Sequence, residues 1–568
     1  MNIFDELKGV VFAVNIAPPK EYSERIKSLG DHTWFIDSRL HKFRDDEVLL
    51  SDDNEVIFLD GHVENKAQIQ KENGKTDWSE ALRSELRKSI VVRLRGGFAG
   101  FWYSDHCYRL FSDHVGNRAL YYYANGNKLI ISTKLFFITD ILRKNGVKLS
   151  VDEQAIRYLL TLGFMPDDST ICSDIKRVCP GDYVDINDTG KVSITNYYRP
   201  DNTNINSNMT VSDAIDGLDY FFRQAISREY EKDVEYGYRH LVDLSGGLDS
   251  RMVSWVAHEM GYEDQINITF CKKDYIDLKI AQEISLDLRH KFIYMPLDDF
   301  KWFEDYELNT AMLNASVPYA AATGTRHILD IVKGLNCGIE HTGMVGDAII
   351  GTFYKDKNYN YSEPTGDENA YSTLLKYKVP QDVLDRFANR EQYSIYTRGL
   401  LCAQSSYMLR QNYFENSSPF LDVDFLDFIL SVPFEYRANH KLYLKWILAK
   451  YPKAAEYGWE KWHGARPTER SRKFEKKLYQ LRYSMDDMIT KLLKGNSEVG
   501  MNPIDYWFTM YADTAASTNN FFEDCWESIE GILTEGLGKD MYNMYYNGNA
   551  GEKMQVITAC AGMLLLRV

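Results

Sequence analysis

Over the first 200 residues, short apolar runs alternate with turn residues. Residues 10–14, 55–59, 100–103, 119–123 and 128–132 each read as a strand, and Asp60-Gly61, Ser104-Asp105 and Asn125-Gly126-Asn127 read as the turns between them. Helical periodicity at 78–86 and 152–160 adds peripheral helices, so this part predicts antiparallel sheets with helices outside them. A polar, Asn-rich stretch at 199–208 marks a linker. Beyond it the period changes. A helix at 211–230 leads to a strand at 240–244 and then to a helix with Val253, Val256, Ala257 and Met260 on one face, closed by Gly261. A strand at 266–270, a helix carrying Ile280, Ala281, Ile284 and Leu288, and a strand at 292–295 follow. This alternation predicts a parallel α/β sheet. From about residue 300 the pattern is mainly helical. The chain divides into 1–200, a linker at 201–210, an α/β unit at 211–469 and a helical extension at 470–568.

With 568 residues, the chain exceeds what one core supports, and 44% hydrophobic with 26% charged residues is an ordinary globular balance. Its 66 Lys and Arg against 82 Asp and Glu give a net charge of −16, which argues against nucleic-acid or anionic-membrane partners. No apolar run approaches membrane-spanning length and the start Met1-Asn2-Ile3-Phe4-Asp5-Glu6 is polar, so a soluble, cytoplasmic protein is expected. Eight scattered cysteines without a CxxC pair suit reduced thiols better than zinc or a disulfide framework.

The segment carrying the most chemistry is Ser245-Gly246-Gly247-Leu248-Asp249-Ser250, set between a predicted strand and a predicted helix. Adjacent glycines let backbone N–H groups approach an anion, and the helix start adds partial positive charge. Ser245 and Ser250 add hydroxyls, and Asp249 adds a hard oxygen ligand for Mg²⁺. The string is neither GxxxxGKS nor GxGxxG. It resembles the pyrophosphate loop of enzymes that cleave ATP between the α and β phosphates.

Further segments extend the likeness over about residues 8–465, and the chain resembles the asparagine synthetase family. Ile276-Asp277-Leu278-Lys279, Pro419-Phe420-Leu421-Asp422 and Leu444-Lys445-Trp446-Ile447-Leu448 are similar to motifs of its synthetase half. Phe58-Leu59-Asp60-Gly61-His62-Val63-Glu64-Asn65, the run from Phe111 to Tyr122, and Thr170-Ile171 with Cys179-Pro180-Gly181 are similar to its class II glutaminase domain. The resemblance implies an N-terminal Ntn-type αββα sandwich. After it would come an adenine-nucleotide α-hydrolase-like parallel α/β domain with a mainly helical C-terminal part.

The resemblance also implies an ATP- and Mg²⁺-dependent, AMP-forming ligase. A carboxylate, small or conjugated, would be activated as an acyl-adenylate and transferred to ammonia or an amine. Leu244, Ser245, Gly246, Gly247, Asp249, Ser250, Phe270, Thr342 and Gly343 would bind ATP and pyrophosphate, and Asp249 and Asp347 would hold the metal. Lys461, with Arg251 and Lys445 as rivals, would neutralise the reacting phosphorus.

Three departures stand out. A class II glutaminase needs an N-terminal cysteine; here Asn2 takes that place, Lys8-Gly9-Val10 occupies the matching segment, and no cysteine precedes Cys107. Asp60 stands where the family has an oxyanion-hole asparagine, and an acid there repels an oxyanion. Met344 and Ala348 replace two acids, and methionine cannot act as a base. No glutaminase activity is therefore expected, and nitrogen would come from free ammonia, a separate amidase or an amine substrate. A β-lactam synthetase-like cyclising ligase and a catalytically degenerate nucleotide-binding scaffold stay open, as does a homodimer.

Overall fold

The computed structural model describes residues 3–567 except 31, 53, 353–355, 369, 469–476, 479, 483, 486, 487 and 489–499. Asn2 and much of 470–499 therefore lie outside the described residues. Among the described residues of the N-terminal half, twelve strands form two antiparallel six-stranded sheets. In chain order they are β1 (Val10–Val14), β2 (Ile26–Gly30), β3 (Thr33–Asp37), β4 (Val48–Ser51), β5 (Val56–Gly61), β6 (Phe98–Ser104), β7 (Cys107–Ser112), β8 (Leu120–Asn125), β9 (Lys128–Ser132), β10 (Lys176–Val178), β11 (Asp182–Asn187) and β12 (Val192–Asn196). One sheet runs β10-β8-β9-β1-β3-β2 and the other β12-β11-β7-β6-β5-β4. Alternate residues of the strands face each other between the sheets: Val10, Phe12, Leu120 and Ile131 meet Phe58, Phe101, Leu110 and Val184.

Helices cover both outer faces. α1 (Lys66–Asn73) and α2 (Trp78–Ser89) bury Ile69, Trp78, Leu82 and Leu86 against the second sheet. α3 (Leu135–Lys144) buries Phe136 and Ile141 against the first, and α4 (Glu153–Leu162) buries Ile156 and Leu159 and packs on the helix Ala550–Leu566. The result is a four-layer αββα sandwich. Asp77 and Asp152 cap α2 and α4 by accepting from Glu80 N and Ala155 N, which fixes where each helix starts.

The Asn-rich stretch is coil but is tied down. Asn202 is fully buried and exchanges two amide hydrogen bonds with Asn389, and Asn206 N donates to the Ser431 carbonyl. α5 (Val211–Glu235) then opens with a capping box, Thr210 with Asp213. A parallel sheet follows in the order β15-β14-β13-β16-β17, built from β13 (Arg239–Asp243), β14 (Gln265–Cys271), β15 (Lys291–Pro296), β16 (Cys337–His341) and β17 (Glu415–Ser417). α6 (Leu248–Glu259) follows β13 and α7 (Ile276–Asp287) follows β14. From β13 the chain lays β14 and β15 to one side and β16 and β17 to the other. The point of reversal lies between β13 and β16, where open α/β sheets place their ligand crevice.

The C-terminal helices are not peripheral. α8 (Ala550–Leu566) is buried along most of its length; Gln555 Nε2 donates to the Leu159 carbonyl, and Thr558 Oγ1 accepts from Tyr319 N. It thus joins the sandwich to the α/β unit. Among the described residues no helix is long and apolar enough to cross a membrane. All eight cysteines are free thiols, six of them buried.

Candidate active site

The reversal point opens into a cavity of about 550 Å³. Its floor is the loop leaving β13. The Ser245 N–H donates to Ser250 Oγ at 3.0 Å, the two serine hydroxyls are 3.0 Å apart, and Gly247 N donates to Ser245 Oγ at 3.2 Å. These bonds fold the loop over the start of α6. Gly246 keeps the loop in place by close approach: a Cβ there would lie 2.5 Å from Asp277 Oδ1.

The opposite wall is the loop leaving β16. Gly343 sits so close to α6 that a Cβ would fall 2.5 Å from Ser250 N, and one on Gly346 would fall 2.8 Å from the Asp249 carboxyl carbon. Two glycines thus let the second loop lie against the first. The Asp347 N–H donates to Asp249 Oδ2 at 2.7 Å, and both side chains line the cavity. Burial, then the neighbouring Asp347 charge, push the Asp249 carboxyl up to about 8, while the Lys461 charge pulls it down. Two carboxylates crowded this way fit a hard divalent cation, which would offset the repulsion.

The expected residues divide into two groups. Leu244, Ser245, Gly247, Asp249, Ser250, Phe270, Gly343 and Asp347 all line the cavity. Gly246, Thr342, Arg251 and Lys461 do not. Thr342 is fully buried and donates through Oγ1 to the Ser417 carbonyl, tying β16 to β17. Arg251 is fully buried with its guanidinium on the carbonyls of Ala454, Gly246 and Gly458, so it braces the loop from behind and does not face the cavity. Burial pushes it down to about 10. Lys461 is exposed, 3.5 Å from His440 Nε2, and its charge reaches Asp249. Lys445 is exposed on the helix Lys441–Lys450.

Sequence reasoning missed Asp243, Tyr407 and Met501, all lining the cavity. Arg410 donates to Asp243 at 2.6 Å and to Glu340 at 2.5 Å, joining half-buried Asp243 at the end of β13 to buried Glu340 of β16. Asp243 had a signal, an acid closing an apolar strand directly before the loop. Met501 had none. It arrives from the C-terminal region, with its carbonyl accepting from Lys272 N at 3.2 Å.

At the sandwich, Asp60 is buried and accepts from Arg118 at 2.8 Å and from Arg39 at 3.3 Å, and Arg118 also pairs with Glu415 of β17. Asn117 Nδ2 donates to the Asn416 carbonyl at 2.7 Å beside it. Asp60 thus belongs to an ionic seam between the two halves. Lys134, nearly fully buried, packs its stem against Gly9 at the start of β1 and is pushed down to about 7 by burial and by Arg118.

Residues 54–198 match the glutamine amidotransferase domain family. Asparagine synthetase [glutamine-hydrolyzing] 1 of Bacillus subtilis (strain 168) is 21% identical over 251 residues, which cover 41% of this chain and 37% of that protein. The chain thus spans little more than a third of that relative's length. Two solved structures also align. The allosteric regulatory enzyme of purine biosynthesis is 11% identical over 51% of this chain and 75% of its own, with a TM-score of 0.23. Glutamine phosphoribosylpyrophosphate amidotransferase from B. subtilis is 9% identical over 52% and 86%, with a TM-score of 0.24. Scores this low carry no weight in assigning the fold. By sequence the chain is thus similar to glutamine amidotransferase domains over residues 54–198 and, more distantly, to an asparagine synthetase.

Proposed function

We propose that the chain is an ATP-dependent, AMP-forming amide ligase of the asparagine synthetase-like kind that lacks glutaminase activity of its own. The observation that carries this reading is the meeting of Asp249 and Asp347 across the Ser245–Ser250 loop, inside one cavity walled by Leu244, Phe270 and Gly343. A nucleotide would lie with its base against Phe270 and Leu244 and its phosphates over the loop. The loop N–H groups, the two serine hydroxyls and the start of α6 would stabilise charge on the departing pyrophosphate. Asp249 and Asp347 would hold Mg²⁺, which supplies charge neutralisation at the phosphates. Lys461 would approach the reacting phosphorus from the rim. A carboxylate attacks the α-phosphorus and releases pyrophosphate, and ammonia or an amine then displaces AMP to give the amide.

Two features support the absence of glutamine hydrolysis. Lys8 and Gly9, not a thiol, sit at the start of β1, and Asp60 is engaged by two arginines. Nitrogen then comes from free ammonia, a separate amidase or an amine on the substrate. One observation favours a second reading, a nucleotide-binding scaffold: Met344 lines the cavity and offers no base for the incoming nitrogen. Pyrophosphate release from ATP and Mg²⁺ over a panel of carboxylates tests the ligase. Stimulation by one acid supports it, whereas bound ATP with no stimulation by any acid overturns it in favour of the scaffold.

A further inference from the structure

A second set of ligand-bearing side chains converges in the core between α5 and the parallel sheet. α5 brings Glu229 and Asp233, one helical turn apart; β13 brings His240 and β16 brings His341. His341 Nε2 lies 2.9 Å and His240 Nδ1 3.2 Å from the same oxygen, Asp233 Oδ2. The three ligand atoms lie within 4.8 Å of one another. Asp233 and His341 are fully buried, and Glu229 and His240 nearly so.

Each distance has two readings. Direct hydrogen bonds explain both, and the His341 Nδ1, 3.3 Å from Glu229 Oε2, then shares a proton carried by either the ring or the buried carboxyl. The same spacings also suit atoms sharing one ion, since bonds of about 2.0–2.1 Å at tetrahedral angles separate neighbouring ligands by about 3.3 Å. The surroundings favour an ion. Glu229 stands behind His341 as an acceptor for the N–H a ligating histidine keeps, and the Ile339 N–H donates to Asp233 Oδ1 at 3.0 Å, which orients Oδ2. Tyr230 stacks on the His341 ring at 3.8 Å and fixes its plane. A divalent cation with two neutral imidazoles, Asp233 and Glu229 is charge-neutral.

We propose that Asp233, His240 and His341 form a zinc site that ties α5 to β13 and β16, with Glu229 as a positioning residue. Nitrogen and carboxylate donors suit zinc, and three protein ligands bind it. On binding, His341 gives up its Nε2 proton to solvent and His240 moves its proton to Nε2, so one proton is released per zinc.

The test uses the full chain, stripped with chelator, re-equilibrated with zinc and desalted. The wild type and an Asp347→Asn control should each retain one zinc per chain, and zinc should raise the Tm by several degrees. Asp233→Asn and His240→Gln should lower zinc content at least tenfold and abolish the Tm response. Cobalt in place of zinc should show ligand-field bands without a thiolate charge-transfer band, which excludes the cysteines. If the variants fail to fold, the wild-type Tm response and cobalt spectrum decide alone. A wild type that retains no zinc, or whose Tm zinc leaves unmoved, or whose cobalt spectrum is that of thiolates, overturns the site.

Discussion

The Asp347 N–H donates to the Asp249 carboxylate at 2.7 Å, and this bond joins the loops that leave the two central strands on either side of the sheet's reversal point. It orients Asp249, whose carboxylate also accepts from the Tyr443 hydroxyl, toward the cavity that both aspartates line.

The pH dependence of stability follows from Asp249. Its carboxyl rises from the ordinary 3.8 to about 8 on folding. Between those values the folded, cation-free chain holds one proton more than the unfolded chain. The stability this proton supplies is present near the lower value and lost as pH rises through the upper. Asp249→Asn cannot ionise, so in chelator its Tm should exceed that of the wild type at about pH 8, with the gap closing toward about pH 5. Thermal scans across this range check it; a gap independent of pH contradicts it.

Gly343→Ala should cripple nucleotide binding. The added methyl would fall 2.5 Å from Ser250 N and 2.7 Å from the Asp249 carbonyl carbon, both backbone atoms that cannot swing aside. Overpacking of this kind costs about 1–3 kcal/mol, and ATP affinity measured by calorimetry should fall at least tenfold. Unchanged affinity would show that the two loops do not grip a nucleotide between them.

Arg251 and Lys461 should separate cleanly. Arg251→Met leaves the carbonyls of Ala454, Gly246 and Gly458 without their donor, a loss on the order of 3 kcal/mol, visible as a lower Tm. Because the guanidinium does not line the cavity, the folded fraction should keep its kcat. Lys461→Ala, at an exposed side chain, should leave Tm within about 1 °C and lower the rate of pyrophosphate release. The opposite pattern would reassign the cation.

Glutamine should yield no ammonia with the wild-type chain or with Asp60→Asn. Arg118→Met should instead destabilise the protein, because it removes the nearer arginine from buried Asp60, leaving Arg39, and the arginine partner from buried Glu415. Ammonia release from glutamine would overturn the reading of the sandwich.

The α/β half was legible because its signals are local. The three strands expected at 240–244, 266–270 and 292–295 form at Arg239–Asp243, Gln265–Cys271 and Lys291–Pro296, and the Ser-Gly-Gly loop falls between strand and helix. The sandwich was legible only in part. Trp34, Phe35 and Ile36 form a buried strand with too few residues to show alternation, and Phe136 to Ile141 reads equally as strand or helix until it is packed on the sheet. The cavity's remote members, Tyr407 and Met501, were out of reach because no local pattern encodes a contact across more than 150 residues. Arg251 misled for a physical reason: an arginine one turn into a phosphate-facing helix has the sequence of a ligand, and only its burial shows that it turns inward.

The most direct measurement is which bond of ATP is cut. Phosphorus NMR of the products formed with an active carboxylate, Mg²⁺ and a nitrogen donor should show AMP and pyrophosphate, with both signals lost in Asp249→Asn and Asp347→Asn. ADP with orthophosphate, or AMP formation that survives both substitutions, would contradict the account.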